Sequence, residues 1–588
     1  MSHDQGHRYE WHTIPWRKLE VRVFKLQRRI YQATTRGETQ KARKLQKLLA
    51  TSWSAKSLAV RRVTQENRGK KTAGVDGIKS LTPPQRLKLI SALDLHAPAK
   101  PVRRIWIPKP GKLEERPLGI PIMQDRATQA LVKLALEPEW EARFEPHSFG
   151  FRPGRSCQDA IEQIFDVISK QPRYVLDADI ASCFDKINQA ALLDKINTSP
   201  HFARPIKEWL KAGVVDRGIF MPTDEGTPQG GVLSPLLANI ALHGLEAVVK
   251  QAGGPGKSYK GGKQVTHQTH CIQYADDFVV FNNTWEGIQR CKEAIQEWLK
   301  GMGLELKDAK TRFAHTLERK EECNGNVGFD FLGFTIRQYH VGKSWSKSHK
   351  SYKTIIRASK NSIATHYRNL AEILRKGQGR TVDQIIFALN PKITGWTHYF
   401  HKVNSAETFH RLDHLLWWQI LRWAKRRHAN KSAKWVVEKY FQPRGGRKYN
   451  VIGEKRTLRW HVKTPIERHR RLRKGISPYD GNWSYWGTRK GAYIGLDTVR
   501  GKLLKHQGGR CRHCRLFFTV EEKTEIHHED GNHQNNRFSN LQLLHLICHD
   551  HVHGNTSTAR CTHDKSDITE EPCAGKLAST VLETSREG

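Results

Sequence analysis

The chain has 588 residues, with 99 Lys and Arg against 58 Asp and Glu and a formal net charge of +41. That length exceeds what one hydrophobic core supports, and a charge excess spread along the chain calls for a polyanion, which nucleic acid supplies because each neutralised phosphate releases a condensed counterion. No run approaches the ~18 apolar residues of a transmembrane helix, MSHDQGHRYEWHTIPW carries no signal-peptide core, and ten cysteines in this length are no disulfide scaffold, so the expectation is a soluble intracellular protein with no membrane partner.

Residues 15–65 read as basic helices, with Val23, Leu26 and Ile30 on one apolar stripe, Leu45, Leu48 and Leu49 on another, and Gly37 between them. Their other faces carry Arg28, Arg29, Lys41, Arg43, Lys44 and Lys47, a surface suited to phosphate. From 70 to 340 strand-like and helix-like segments alternate, as in an α/β or α+β domain. Within it YVLDADIASCFD (174–185) is a predicted strand whose Val175, Asp177 and Asp179 share a face. GGPGKSYKGGK (253–263) reads as a flexible basic loop, and CIQYADDFVVF (271–281) as a tight hairpin with Tyr274, Ala275, Asp276 and Asp277 at the bend. Residues 355–440 read as helical and rich in Trp and His, with LLWWQILRWAKRR the strongest stretch. A basic segment follows, then a Cys/His region at about 500–555, then a polar tail expected to be disordered, in which Cys561 and Cys573 are incidental. Cys157, Cys183, Cys271, Cys291 and Cys323 are expected to serve as small hydrophobes.

Adjacent aspartates at a bend are, by themselves, ordinary turn residues. In-line phosphoryl transfer, however, uses two divalent cations about 3.5–4 Å apart bridged by carboxylates, and Asp179 with the Asp276–Asp277 pair can supply that bridge, Asp177 being the alternative on the first strand. Near the C-terminal end, CRHC (511–514) and HLIC (545–548) have the spacing of a tetrahedral structural zinc site. Between and beside them run EIHHEDGN (525–532), NNRFSNLQLL (535–544) and CHDHVH (548–553), in which His549 and His553, four apart on a helix, share a face.

The ordered series RPLGIP (116–121), SFGFRPGRSCQDAI (148–161), DADIASCFDKI (177–187), GTPQGGVLSPLLANI (226–240), YADD (274–277), LELKDAKT (304–311) and FLGF (331–334) resembles the reverse transcriptase of group II intron-encoded proteins. LNPKITGWTHYF (389–400) resembles the maturase or thumb signature, and the 500–555 region resembles the family's HNH endonuclease. The resemblance implies a multidomain α+β fold with right-hand polymerase fingers and palm, an α-helical thumb, and a small zinc-stabilised ββα-metal HNH domain. The implied division is 1–70 as a basic helical N-terminal extension, 71–345 as fingers and palm, 346–442 as thumb, 443–498 as a basic DNA-binding segment, 499–555 as HNH and 556–588 as tail.

The same resemblance assigns roles. Asp179 and Asp276, with Asp277 a weaker third, would hold two Mg2+ ions. Phe184 would exclude a 2′-hydroxyl by bulk, Gln229 would touch nucleotide or template, Lys109 and Arg116 would hold the triphosphate, and Lys310 would support the cleft. In the C-terminal region His527, His549 and His553 would bind one divalent ion of unspecified identity, His528 would deprotonate the attacking water, and Asn540 would fix the hairpin loop. Cys511, Cys514 and Cys548 would bind structural Zn2+; His545 stands where many family members have Cys, which leaves the fourth ligand as His545 or His551. Implied partners are group II intron RNA, target DNA and dNTPs in a ribonucleoprotein, in bacterial cytoplasm or nucleoid or an organelle of bacterial origin. The expected function is reverse transcription, splicing assistance and DNA nicking for retrohoming of a mobile genetic element; the alternatives are a maturase acting mainly in RNA folding, or another prokaryotic reverse transcriptase.

Overall fold

Apolar side chains alternating with aspartates make YVLDAD the centre of a sheet, the strand Tyr174–Asp179. It runs antiparallel to Asp277–Asn282 on one side and Arg312–His315 on the other, and His270–Tyr274 completes the four strands. The computed structural model describes residues 9–108, 114–254, 257–260, 263–266, 269–342, 351–444 and 447–553. They fall into two units that divide between Gly481 and Asn482.

In the first unit, a second four-stranded sheet pairs Glu115–Ile120 with Val102–Pro108, then with Val214–Asp216 and Ile219–Met221. The N-terminal helices Trp16–Thr35, Thr39–Thr51 and Trp53–Arg61 share a core with the helix Met123–Arg143. The side-chain amide of Gln27 donates to the Leu134 carbonyl at 2.9 Å, and that of Gln46 donates to Glu139 at 2.5 Å. Gly37, at φ 74°, turns the chain between the first two helices. Leu48 departs from its predicted stripe and is 53 % exposed. The buried face of that helix is Ala42, Leu45, Gln46, Leu49 and Ala50, a 3.6-residue repeat from which position 48 is rotated away.

Two further sequence expectations need correction. The stretch read as a flexible loop contains a hairpin, Lys257–Lys260 against Lys263–Thr266; the Gly-Gly between those strands in the sequence is a hairpin signal that composition obscured. The helical region begins later than residue 355, because Tyr352–Ala358 is a strand paired to Phe334–His340, as its Thr-Ile-Ile centre favours. Helices Lys360–Lys376, Val382–Phe400, Ala406–Arg427 and Ala433–Tyr440 follow. Asp413 accepts from the backbone N–H groups of His461 and Val462 at 2.7 and 3.3 Å. The His461 and His366 rings meet at 2.9 Å, tying these helices to the segment beyond them.

That segment runs back to the first half of the unit. His469 lies 2.9 Å from Asp159 and Arg471 3.0 Å from Asp166, while Ser477 Oγ donates to Glu141 at 3.3 Å and Tyr479 OH to Glu137 at 2.9 Å. Some of the cations expected to face DNA are therefore paired with acids of the same unit.

In the second unit, helices Trp483–Lys490 and Thr498–His506 precede an antiparallel hairpin, Thr524–His528 with Leu541–His545, and a final helix Leu546–Val552. Its buried apolar cluster is small, Leu503, Leu504, Cys511, Phe518, Leu541, Leu543 and Leu544, the size of core that metals commonly reinforce. Among the described residues no helix is long and apolar enough to cross a membrane. The tail read as disordered, with Cys561 and Cys573, lies outside the described residues.

Candidate functional site: a carboxylate corner and two Cys/His clusters

Asp179 ends its strand in register with Asp277, and Asp277 pairs with Tyr274 across the bend, leaving Ala275 and Asp276 as the turn. Ala275 has φ 58°, the left-handed conformation that tight hairpins require. Behind it, Gly150 comes so close that a Cβ there would lie 2.2 Å from the Ala275 nitrogen. The Phe149 N–H donates to the Gln273 carbonyl at 2.9 Å, and the Gln273 N–H to that of His147 at 3.0 Å. The SFGF segment thus clamps the hairpin from behind and fixes where the two aspartates stand.

The electrostatics of this corner are those of acids crowded together. Burial, then the charges of Asp276 and Asp179, push the Asp277 carboxyl up to about 7. Asp276 is also raised, by burial and then by Asp179, with Arg116 and Lys310 opposing. Lys310 forms an ion pair with Asp179, and that bond raises the Lys310 pKa. Asp177 pairs instead with Arg312 at 3.4 Å, and burial brings its carboxyl to about 6. Asp177, Asp179, Asp277, Lys310, Arg312 and Asp330 line a cavity of about 380 Å3. The three catalytic candidates share one corner but do not converge on one point: among the described residues, the groups with three or more ligand atoms within 4.8 Å of one another are the Cys and His clusters below. An ammonium, that of Lys310, stands on Asp179 where a cation would be expected. Carboxylates repelling one another around a single ammonium fit a site that takes further positive charge.

The surrounding candidates are fixed mainly by backbone. Phe184 lies in the short helix Cys183–Lys186, edge-on to Phe151 with ring centroids 6.5 Å apart. Burial, and then the charges of Asp276 and Asp179, raise the neighbouring Cys183 thiol, so the helix carrying Phe184 sits beside the acids. The Phe184 carbonyl accepts from the Thr227 N–H at 2.6 Å, and the Gln229 carbonyl accepts from the Gly119 N–H at 2.6 Å. Gly230, at φ 121°, would place a Cβ 2.6 Å from the Gly119 oxygen, so only glycine lets the Gln229 turn rest on the strand that carries Arg116. Lys109 lies outside the described residues.

In the second unit, Cys511, Cys514, His545 and Cys548 bring four ligand atoms together. The His545 Nδ1 is 3.3 Å from Cys514 Sγ and 3.8 Å from Cys548 Sγ, and its Nε2 lies 3.3 Å from Glu522. Although burial opposes it, hydrogen bonds from the backbone of Cys514, His545 and His513 pull the Cys511 thiol down, toward the thiolate that zinc takes. His551, the other candidate, packs instead against His513, with ring centroids 5.6 Å apart.

A separate cluster joins His527, His549 and His553, with His527 Nδ1 3.1 Å from His553 Nε2. Burial and then the two partner rings lower the His527 pKa, favouring the neutral imidazole that binds metal. His528, adjacent on the strand, is not in that cluster; its Nε2 is 3.3 Å from Asn536 Oδ1. The Asn540 side-chain N–H groups donate to Asp530 Oδ1 at 2.8 Å and to the Asn535 carbonyl at 2.9 Å, and its Oδ1 accepts from the Asp530 N–H at 3.1 Å. Asn540 thereby ties the hairpin connection together.

Three family profiles match the chain: the N-terminal domain of reverse transcriptase over residues 11–93, reverse transcriptase (RNA-dependent DNA polymerase) over 107–336, and the group II intron maturase-specific domain over 363–441. Protein YkfC of Escherichia coli K12 is 32 % identical over 350 residues, covering 53 % of this chain and 88 % of that protein. Group II intron-encoded protein LtrA of Lactococcus lactis subsp. cremoris is 26 % identical over 541 residues, 79 % of this chain and 86 % of that one. The chain belongs to the group II intron reverse transcriptase/maturase family. Maturase-like protein 1 of Euglena gracilis is a further relative, 32 % identical over 337 residues and covering 55 % of this chain and 64 % of its own. In this reverse transcriptase/maturase chain the carboxylate corner lies inside the polymerase match, whereas the Cys/His unit lies beyond residue 441 and stands on its own geometry.

Sequence reading passed over two residues at the corner. Phe151 is 50 % exposed with φ 58°, an uncommon conformation for an aromatic residue; the glycine before it was the available signal. Asp330 enters the cavity from a strand more than a hundred residues away in sequence from Asp179, and no local pattern announces it.

Proposed function

We propose that the chain copies RNA into DNA at the carboxylate corner, binds group II intron RNA as a maturase, and nicks target DNA with its second unit, so that the nick primes reverse transcription. The observation that supports it best is the register of Asp179 against Asp277 across a bend clamped by Gly150. On this reading residues 71–345 are fingers and palm, 346–442 the thumb and 499–555 the HNH domain. Asp179, Asp276 and Asp277 would hold two Mg2+ ions, whose positive charge would stabilise the charge that develops in phosphoryl transfer. Arg116, with Lys109, receives the triphosphate. Lys310, ion-paired with Asp179, supports the cleft, the Gln229 turn supports nucleotide or template, and the Phe184 ring occupies the space of a 2′-hydroxyl.

In the second unit, Cys511, Cys514, His545 and Cys548 hold zinc, and His527, His549 and His553 hold one divalent ion. His528 takes a proton from the attacking water, while Asn540 keeps the loop beside it in place. Partners are intron RNA, target DNA and dNTPs in a ribonucleoprotein, located in bacterial cytoplasm or nucleoid or in an organelle of bacterial origin.

The test is primer extension on an annealed RNA template with dNTPs and with rNTPs. Phe184→Ala is expected to raise rNTP use relative to dNTP use by about ten- to a hundredfold, the range one removed steric contact can discriminate. Unchanged discrimination would remove Phe184 from the nucleotide site, and absence of extension by the wild-type chain would overturn the polymerase reading.

A further inference from the structure

The helix Ala406–Arg427 carries adjacent tryptophans that face different surroundings. Trp417 is partly buried, edge-on to Trp418 at 4.8 Å and 6.0 Å from the Tyr449 ring. Trp418 is 45 % exposed, and its indole N–H donates to His414 at 3.2 Å, which holds the ring in one orientation. With the helix Ala433–Tyr440 and the strands Phe441–Arg444 and Arg447–Val451, these rings border a cavity of about 860 Å3. Arg422, Lys425 and Lys434 stand on its wall against one described acid, Glu438. All three cations are exposed.

Three features converge here. Trp418, 45 % exposed, offers an aromatic face to solvent beside exposed cations. The Trp417 ring stands edge-on behind Trp418 at 4.8 Å and backs the exposed face. The charge around the cavity is net positive. A backed, exposed stacking face and flanking cations are the complement of a nucleotide: a π-face and a phosphate.

We propose that this cavity receives an unpaired nucleotide of bound RNA, its base stacked on Trp418 and neighbouring phosphates at Arg422, Lys425 and Lys434. The proposal rests on the reading that the chain binds RNA and adds the place and the mode. A base held in a duplex cannot enter, so the site selects single-stranded loops or bulges. The polymerase corner, in contrast, requires a paired primer end.

The test uses the full chain and fluorescence anisotropy with three labelled probes of equal length: single-stranded oligoadenylate RNA, an RNA duplex, and single-stranded DNA. Trp418→Ala removes little packing from a half-exposed side chain and is expected to weaken oligoadenylate RNA binding about tenfold, without changing the slope against salt. Trp418→Phe should restore most of the affinity. Lys425→Ala should instead lower the log–log salt slope by about 0.7, the loss of one phosphate contact on a single strand. Duplex binding should be unaffected by Trp418→Ala. If the wild-type chain binds RNA while Trp418→Ala and Tyr449→Ala bind oligoadenylate as tightly as it does, the pocket is wrong and the functional reading stands. Equal weakening for the duplex, or weakening confined to DNA, also overturns the pocket. A wild-type chain that binds none of the RNA probes overturns the maturase reading and the pocket with it.

Discussion

Asp276→Asn is expected to lower primer extension on an RNA template by about a thousandfold and to leave RNA affinity unchanged. The size follows from removing one charged group from a preorganised site that stabilises developing charge. Asparagine matches aspartate in shape and is at home in a tight turn, so the bend between Tyr274 and Asp277 keeps its geometry and only the negative charge is lost. RNA grip depends on cations spread over the chain, whose formal net charge is +41, and deleting one acid does not weaken it. Primer extension and filter binding on the same preparation check both halves. Extension surviving within tenfold of wild type would remove Asp276 from the reaction, and parallel loss of RNA binding in a folded variant would show that the two activities do not separate.

The second large effect concerns the second unit. Replacing Cys511 and Cys514 together by Ser should release zinc and unfold the residues around the hairpin, because structural zinc binding contributes about 10–16 kcal/mol in small zinc domains and the buried apolar cluster left without it is Leu503, Leu504, Phe518, Leu541, Leu543 and Leu544. DNA nicking and any DNA grip of the unit should vanish together. His528→Ala should behave differently. It leaves Cys511, Cys514, His545 and Cys548 intact, so zinc content and protease resistance of residues 482–553 should match wild type, while nicking of the second DNA strand falls about a hundred- to ten-thousandfold, the usual worth of a general base. Extension from a pre-annealed primer should be unaffected by either change, since that reaction needs no nick. Zinc content by atomic absorption, limited proteolysis and strand-specific cleavage of a labelled target distinguish the outcomes. A double-Ser variant that keeps its zinc would mean that the four-atom cluster is not the zinc site, and wild-type nicking by His528→Ala would end its assignment as the base.

What could be read in the sequence was local. The YADD hairpin declares itself through apolar runs around a bend, and CRHC with HLIC through ligand spacing, so both appear in the structure where the pattern put them. The choice between His545 and His551 was not local. It depends on the hairpin placing the end of Leu541–His545 next to the knuckle. Contacts between distant residues left no trace at all. The approach of Gly150 to Ala275, the Gln158 side chain donating to the Tyr399 carbonyl at 3.0 Å, and the pairing of His469 with Asp159 join positions with no shared periodicity. The last of these lies in the segment expected to bind DNA: its charge is visible in the sequence, but its partner three hundred residues earlier is not.

The returning segment has a meaning for how the protein is made. Chains emerge from the ribosome N-terminus first and domains fold as they appear. Glu137, Glu141, Asp159 and Asp166 are among the early residues to emerge, yet the Tyr479, Ser477, His469 and Arg471 that meet them come some three hundred residues later. Until then the nascent polymerase body has an open seam lined with acids, and it is sealed only when translation has passed the helical region entirely. A message truncated between codons 441 and 469 would yield every residue of the three family matches and still leave that seam without any of its four later partners, exposing the product to the cell's proteases.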